Sequence, residues 1–533
     1  MNLINEPWIP VVREDGTQER IVPWQIAETT NPVVDIDAPR ADFRGALYQF
    51  LIGLLQSTCA VEDADDWEEV WDDGFEADQL KTTFAAFARA FELTANDDIA
   101  DGAAFMQDFN LPESEIKPIS ALLIEAPGAK TVKDNLDHFI KSDQVNCLCS
   151  SCTATALFTL QLNAPSGGAG HRVGLRGGGP LTTLVLPHNN TEPLWRKLWL
   201  NVLNKEHLAN AQFNLDASQF PWLADTKTSE KKGSEITPQD NNALQMFWAM
   251  PRRISLFRRL EPQTCDLCGK QDEASFMDYK TKNYGVNYDG LWLHPLTPYW
   301  FDPKKKKEPL SLKGQKGGLN YSNWLGLVLQ DLHKGDQSAK IVNVFNNERT
   351  EVFNDVSKAR LWCFGYDMDN MKARCWYEHQ IPLFQLSPAQ LDKMLGWASN
   401  LIICARETSS LLRKYVREAW FSRPGDAKGD MSHVSATFWQ ATEFSFYQML
   451  QQLQQLPADT QFPAQVYQQW LRTLRQSMFQ LFDQYTVEAP AEDLNMKRII
   501  FARDNLAKYY FGNNHIKNMA KQAKSPSQQE VNV

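Results

Sequence analysis

Two pairs of thiols stand out in this chain: Cys149 and Cys152 in "NCLCSSCTATALF", and Cys265 and Cys268 in "TCDLCGK". Two intervening residues let both sulfurs of a turn face one ion, and two such turns supply the four thiolates of a tetrahedral zinc site. Four sulfurs leave no open position for water, so the expected role is a structural staple, not a Lewis-acid centre. The 112 residues between Cys152 and Cys265 exceed the span of about 15–20 in a compact zinc ribbon. Unligated thiols and redox chemistry therefore stay open as alternatives. Redox chemistry is the less favoured, because neither pair is expected to open a helix after a βαβ pattern. Cys147 is read as a bystander, and Cys59, Cys363, Cys375 and Cys404, in apolar or aromatic surroundings, as core.

Shortly after the first pair comes "APSGGAGHRVGLRGGGPLTTLV", with seven glycines between Gly167 and Gly179. Such density lets backbone approach a ligand closely. The stretch lacks the Gly-Lys-Ser/Thr of a phosphate-binding P-loop and does not spell G-x-G-x-x-G, which argues against a nucleotide pocket. His171, Arg172 and Arg176, interleaved with the glycines, suit a phosphate backbone or a DNA groove; a plain hairpin connection is the alternative. A second polyanion candidate is "DPKKKKEPLSLKGQKGG", where Lys304, Lys305, Lys306 and Lys307 lie on a loop bounded by Pro and Gly. A solubilising loop would look the same. No H-E-x-x-H, no G-x-S-x-G and no His–carboxylate cluster at metal spacing occurs, so no hydrolase or nuclease centre is visible.

These residues need a scaffold, and 533 residues imply two to four domains. With 43% hydrophobic residues, 22% charged and 17 tryptophans, a large interior can be buried. The formal charge of −11 is unevenly spread: residues 1–110 hold 23 Asp and Glu against 6 Lys and Arg, a local −17 that leaves +6 for the other 423. Net acidity therefore does not exclude a nucleic-acid partner. Most of the acid lies in "VEDADDWEEVWDDGFEAD", where Trp67, Val70, Trp71 and Phe75 recur at helical spacing; a solvated helix face is expected, with protein docking as the alternative. No segment holds the roughly 18–20 apolar residues of a membrane span. The N-terminus has no signal-peptide pattern and the cysteine count is odd, so a soluble cytoplasmic protein is expected.

The opening residues alternate around Asp15-Gly16 as a hairpin does. Helical periodicity runs from about Phe43 to Gln56 and from Gln79 to Leu93, whereas residues 110–380 show short β-type runs, basic loops and no sustained helical period. After Phe384 the pattern changes. Ser387-Pro388 marks a helix start, Leu391, Leu395, Ala398, Leu401, Ile402 and Ala405 follow, and four helices are expected at about 388–421, 431–456, 463–486 and 493–511. The predicted fold class is α+β: a mixed N-terminal domain over 1–384 with the four-cysteine site, a helical bundle over 385–515, and a polar flexible tail over 516–533.

Several motifs together, "MNLINEPWIPV", "CLCSSCTATALF", "GLRGGGPLTTLV", "CDLCG", "DGLWLHPLTPYW" and "GYDMDNMKARCWYEH", resemble the CasA family, the large subunit of the type I-E CRISPR surveillance complex Cascade. The resemblance runs from Met1 into the C-terminal helices. It implies a subunit that is not an enzyme. Such a subunit reads the protospacer-adjacent motif (PAM) in double-stranded DNA through the minor groove, helps open the duplex, and helps recruit a helicase-nuclease. It also implies a structural zinc ion and a C-terminal four-helix bundle, with the other Cascade subunits, the crRNA 5′ handle, target DNA and its displaced strand as partners.

Residue by residue, the resemblance implies that Gly167, Gly168 and Gly170 face the groove floor and that Lys282, or its neighbour Lys280, reads the PAM. Asn370 and Met371, after Gly365-Tyr366, fall where the family carries a wedge, often a glutamine; a flat amide or thioether inserted at a base step would replace stacking there. Phe139 matches an aromatic near the RNA handle. The run Lys304–Lys307 would contact DNA nonspecifically, and Arg413, Lys414, Arg417, Lys497, Arg498 and Lys508 on the bundle helices would meet the displaced strand or neighbouring subunits. A purely architectural zinc-binding subunit and a zinc-dependent nucleic-acid-processing enzyme are the alternatives to this reading.

Overall fold

The computed structural model describes residues 1–59, 61–94, 102–128, 132–134, 144–331, 335–350, 359–369, 372–384, 388–426, 429–457, 459–488 and 495–524. The chain divides into two compact units, the first Met1–Gln315 with Ala339–Glu378 and the second Lys316–Ser338 with His379–Val533. Among the described residues no helix is long and apolar enough to cross a membrane.

The first unit begins with the expected hairpin. Strands β1 (Ile9–Arg13) and β2 (Gln18–Ile21) pair antiparallel, and β3 (Val33–Ile36) lies on the other side of β1. Gly16, at φ 88°, turns the chain where a side chain would be strained. Helix α1 (Ala41–Thr58) follows, almost wholly buried, and then α2 (Ala64–Asp73), the acidic helix. Trp67 of α2 stacks on Trp71 and Trp199 while the carboxylates of Glu68, Glu69, Asp72 and Asp73 face outward, as the periodicity predicted. The core beneath is aromatic: Phe50 of α1 meets Trp8, Phe91, Phe105, Phe158 and Trp248 edge-on, at centroid distances of 5.1–5.9 Å.

Strand β4 (Glu115–Pro118) precedes the two-residue strand β5 (Leu148–Cys149), which runs directly into helix α3 (Ser150–Asn163). This helix corrects the sequence reading. Residues 110–380 showed no helical period because every residue of α3 except Leu160 is buried, and a helix covered on all sides has no polar stripe to mark its turns. The first C-x-x-C therefore does open a helix, with Cys149 as its N-cap. Strands β6 (Thr182–Pro187), β7 (Arg253–Leu256), β8 (Ser275–Phe276) and β9 (Asp278–Lys282) complete the scaffold around the loops. β8 pairs with β5, and β9 lies between β4 and β7, with Lys280 opposite Ile116 and Ser255, and Lys282 opposite Arg253. A further sheet has the order β6, β10 (Ala359–Asp369), β11 (Lys372–Leu383). The boundary between the two units falls within β11. Cys363 is buried in β10 as expected, but Cys375 is exposed on β11, where no residue before Ile381 is buried.

The second unit is helical. Its long elements are α4 (Pro388–Trp420), α5 (Ser432–Gln454), α6 (Ala464–Thr486) and α7 (Met496–Gly512). The predicted apolar stripes form its interior, with Leu401, Ile402, Ala405, Val466, Trp470, Leu474 and Met478 all buried. Trp470 donates from its indole nitrogen to the Leu401 carbonyl at 3.0 Å, and Tyr321, from Lys316–Ser338, stacks on Phe446 and bonds Thr442 at 2.7 Å. Residues 516–522 depart from the expected flexible tail: they belong to a further helix, α8 (Asn514–Gln522), capped by Asn513. Ile516 and Met519, one turn apart, are buried and supply the apolar face that so short and polar a segment concealed.

Candidate functional site

The four predicted sulfurs come together. Ligand atoms of Cys149, Cys152, Cys265 and Cys268 all lie within 4.8 Å of one another, with the first three residues buried and Cys268 half-buried. The Cys149 and Cys268 sulfurs are 3.7 Å apart. Zinc–sulfur bonds of about 2.3 Å in a tetrahedron imply sulfur–sulfur edges of about 3.8 Å, so the arrangement can hold a metal ion.

Local structure explains the convergence. The β5–β8 pair fixes Cys149 beside Ser275, while the Asp266 carboxylate accepts the backbone N–H groups of Asn146 (2.7 Å) and Cys147 (2.9 Å), locking the second knuckle to the first. Asp272 accepts from Ser150 N–H at 2.9 Å, and Gly269, at φ 69°, lets the second turn close. Cys147 is buried but outside the sulfur cluster, as expected. Arg20 was not anticipated. Its Nη2 lies 3.4 Å from both the Cys149 and the Cys268 sulfurs. Burial disfavours its charge, yet the neighbouring Cys149 and Cys268 hold its pKa above the usual value. Hydrogen bonds from Cys149 and Cys152 lower the Cys265 thiol pKa.

The second cluster joins the glycine loop to the end of β9. The Tyr284 N–H donates to the Gly170 carbonyl at 2.7 Å, and the Asn283 side-chain amide donates to the Ala169 carbonyl at 3.0 Å. Gly170 has φ 76°, and a Cβ there would sit 2.9 Å from the Asn283 Cβ and 3.1 Å from the Tyr284 ring. Gly168 has φ 94° and nothing within 4 Å of where its Cβ would be. Gly167 and Gly168 are exposed, and Lys282 and Lys280 lie two and four residues before Tyr284. The loop and the lysine strand are thus one local assembly. The two lysines differ: Lys280 Nζ lies 4.7 Å from the centroid of the Phe257 ring.

Several residues that brace this assembly were missed. Arg252 lies under the loop, donating from Nη1 to His171 Nδ1 at 2.6 Å and from Nη2 to the Pro165 carbonyl. Burial, then the charges of Arg252 and Lys117, lower the His171 pKa from its ordinary 6.5. Ser229 links Arg172, which donates to its Oγ at 2.7 Å, to the Gly285 carbonyl, to which that Oγ donates at 2.7 Å. A lone serine in a polar stretch gives no sequence signal for this. Arg176 corrects the sequence reading. It is buried and spent inside the unit, donating to Gln49 (2.6 Å), Thr182 and Thr297 (3.0 Å each), so it cannot face phosphate. Its charge matched a polyanion site, but its three internal acceptors satisfy it.

The run Lys304–Lys307 lies on a loop built around Asp302, whose carboxylate accepts the backbone N–H groups of Lys304 (3.0 Å) and Lys306 (3.1 Å), and all four lysines are exposed. Asn370 and Met371 lie outside the described residues, as does Phe139. The strands on either side of 370–371 are anchored: Tyr366 donates to Asp42 at 2.6 Å, and Arg374 grips the Asp367 carboxylate through two nitrogens at 2.7 and 2.8 Å. In the helical unit Arg413, Lys414, Arg417, Lys497 and Lys508 are exposed. Arg498 instead caps the end of α4, donating to the carbonyls of Ala419 (2.8 Å) and Trp420 (3.0 Å).

A family model for CRISPR-associated protein Cse1 matches residues 2–481. The chain belongs to the Cse1 family. Solved structures agree in fold across nearly the whole chain. CasA of Thermus thermophilus superposes with a TM-score of 0.69 at 18% identity, covering 96% of this chain and 100% of that one. Cse1 of Acidimicrobium ferrooxidans gives 0.68 at 16%, covering 98% and 99%. A chain of a CRISPR RNA-guided surveillance complex gives 0.67 at 14%, covering 96% and 99%.

Proposed function

We propose that this chain is the non-catalytic large subunit of a type I-E Cascade complex. It reads the PAM of double-stranded DNA from the minor groove, promotes duplex opening and R-loop formation, and helps recruit the helicase-nuclease. Gly167, Gly168 and Gly170 bring backbone to the groove floor, and Lys282, with Lys280 behind it, supplies the reading cation. Asn370 and Met371 act as the wedge, Phe139 serves the crRNA 5′ handle, and Lys304–Lys307 contact the DNA backbone. The observation that carries the reading is the pair of hydrogen bonds from Asn283 and Tyr284 to the glycine loop, because they make one surface of two segments about 114 residues apart in sequence. Minor-groove patterns distinguish A·T from G·C but little more, so several related PAMs should be accepted.

The ion held by the four cysteines is zinc in this reading, and four sulfur ligands fill a tetrahedral site completely. The metal then supplies cross-linking alone. The reading is tested with Cascade assembled around wild-type chain, Lys282→Ala or Asn370→Ala, measuring affinity for duplexes with and without a PAM at one fixed salt concentration, since phosphate contacts alone vary steeply with salt. Loss of PAM preference with assembly and RNA loading intact is expected. An unchanged preference in both variants would leave a purely architectural subunit as the better account.

A further inference from the structure

We propose that Arg20 is the outer-sphere cation of the four-cysteine metal site, a positioning residue that tightens the site's hold on its ion without ligating it. The inference rests on the reading of that site as metal-binding. One guanidinium nitrogen lies 3.4 Å from two of the four sulfurs, contributed by Cys149 and Cys268, 129 and 248 residues away in sequence. Arg20 belongs to β2, and its pairing opposite Pro10 in the N-terminal hairpin fixes where the side chain starts. The geometry therefore involves three separate chain segments.

Charge explains why a cation belongs there. Four thiolates around a divalent ion leave two net negative charges in a mostly buried place, and a fixed guanidinium offsets one of them. Asp266 and Asp272 are engaged by backbone donors, Asp266 accepting from Asn146 and Cys147 and Asp272 from Ser150. Cys149 Sγ also receives the Cys152 backbone N–H at 3.4 Å. N–H donors and positive charge at a metal-bound sulfur draw electron density from it and orient it, the usual work of an outer shell.

The test uses full-length protein. Zinc affinity is measured by competition with a chelating dye for wild type, Arg20→Gln and Arg20→Lys, and the same proteins are loaded with cobalt(II) to record the thiolate-to-metal charge-transfer band. Arg20→Gln should bind zinc about 10–100-fold more weakly, with the band moved to lower energy, and Arg20→Lys should fall between, because it keeps the charge but not the fork. If Arg20→Gln does not fold, Arg20→Lys decides by the same two readouts. A wild type that takes up one equivalent of metal and variants within about twofold of it, with unmoved bands, would overturn the role of Arg20 alone. A wild type that takes up neither metal would overturn the metal reading and this inference together.

Discussion

Gly168 and Gly170 allow recognition to be separated from stability. Replacing Gly170 by Ala forces a side chain into a left-handed backbone at φ 76° and sets its Cβ 2.9 Å from the Asn283 Cβ and 3.1 Å from the Tyr284 ring. The backbone term costs about 1–2 kcal/mol. Relieving the contact adds about 1–3 kcal/mol, as overpacking does elsewhere, so the loop should move off the end of β9, melting should fall by several degrees, and DNA binding should fall with it. Replacing Gly168 by Ala carries only the backbone term, because nothing in the protein lies within 4 Å of the new methyl. A groove pressed against that loop would meet the methyl directly. Gly168→Ala should therefore lose at most about 2 kcal/mol of stability while losing PAM discrimination by tenfold or more, about 1.4 kcal/mol or greater. Melting curves for the free chain and fixed-salt titrations of assembled complex supply the two numbers. If Gly168→Ala discriminates PAMs as wild type does, DNA does not approach the loop at that point and the glycine density serves only the turn.

Three other outcomes follow from the geometry. Lys282→Ala should reduce PAM preference, whereas Lys280→Ala, removing a cation already engaged with Phe257, should mainly weaken binding to all duplexes and reduce the slope of log affinity against log salt by about 1, as titrations across a salt series would read. Arg498→Ala should destabilise the helical unit by about 1.5–3 kcal/mol by uncapping α4, visible as a lower denaturation midpoint, with PAM discrimination unchanged. His171 has a folded pKa below its ordinary 6.5, so its contribution is intact above that pH and is lost as pH falls, since the unfolded chain takes up the proton first. Amide protection factors across 167–172, corrected for the intrinsic pH dependence of exchange, should fall below about pH 6.5 in wild type, and not in His171→Gln.

What could be read in advance followed from how local each signal is. Cysteine pairs at fixed spacing are local, and all four cysteines of the cluster were legible, although their meeting across 112 residues was inferred and not seen in any one window. The bundle helices were legible because each keeps one polar face. Helix α3 was not, because burial on all sides erases the period, and α8 was missed because two apolar residues are too few to establish one. Arg20, Arg252 and Ser229 illustrate the harder case: their partners lie 56–248 residues away, and nothing in their neighbourhoods distinguishes them from surface polar residues. Arg176 is the converse, a cation whose company of glycines suggested phosphate until its buried acceptors accounted for it.

Base analogues distinguish reading from the minor groove from reading from the major groove. Wild-type complex is titrated at fixed salt with duplexes whose PAM carries inosine for guanine or diaminopurine for adenine, which change the minor-groove amino group, and in parallel with 7-deazapurines, which change only the major-groove acceptor. With minor-groove reading, the first set should alter PAM affinity, the second should not, and Lys282→Ala should blunt the response to the first. Sensitivity to the 7-deazapurines with indifference to inosine and diaminopurine would contradict minor-groove reading by the glycine loop and Lys282.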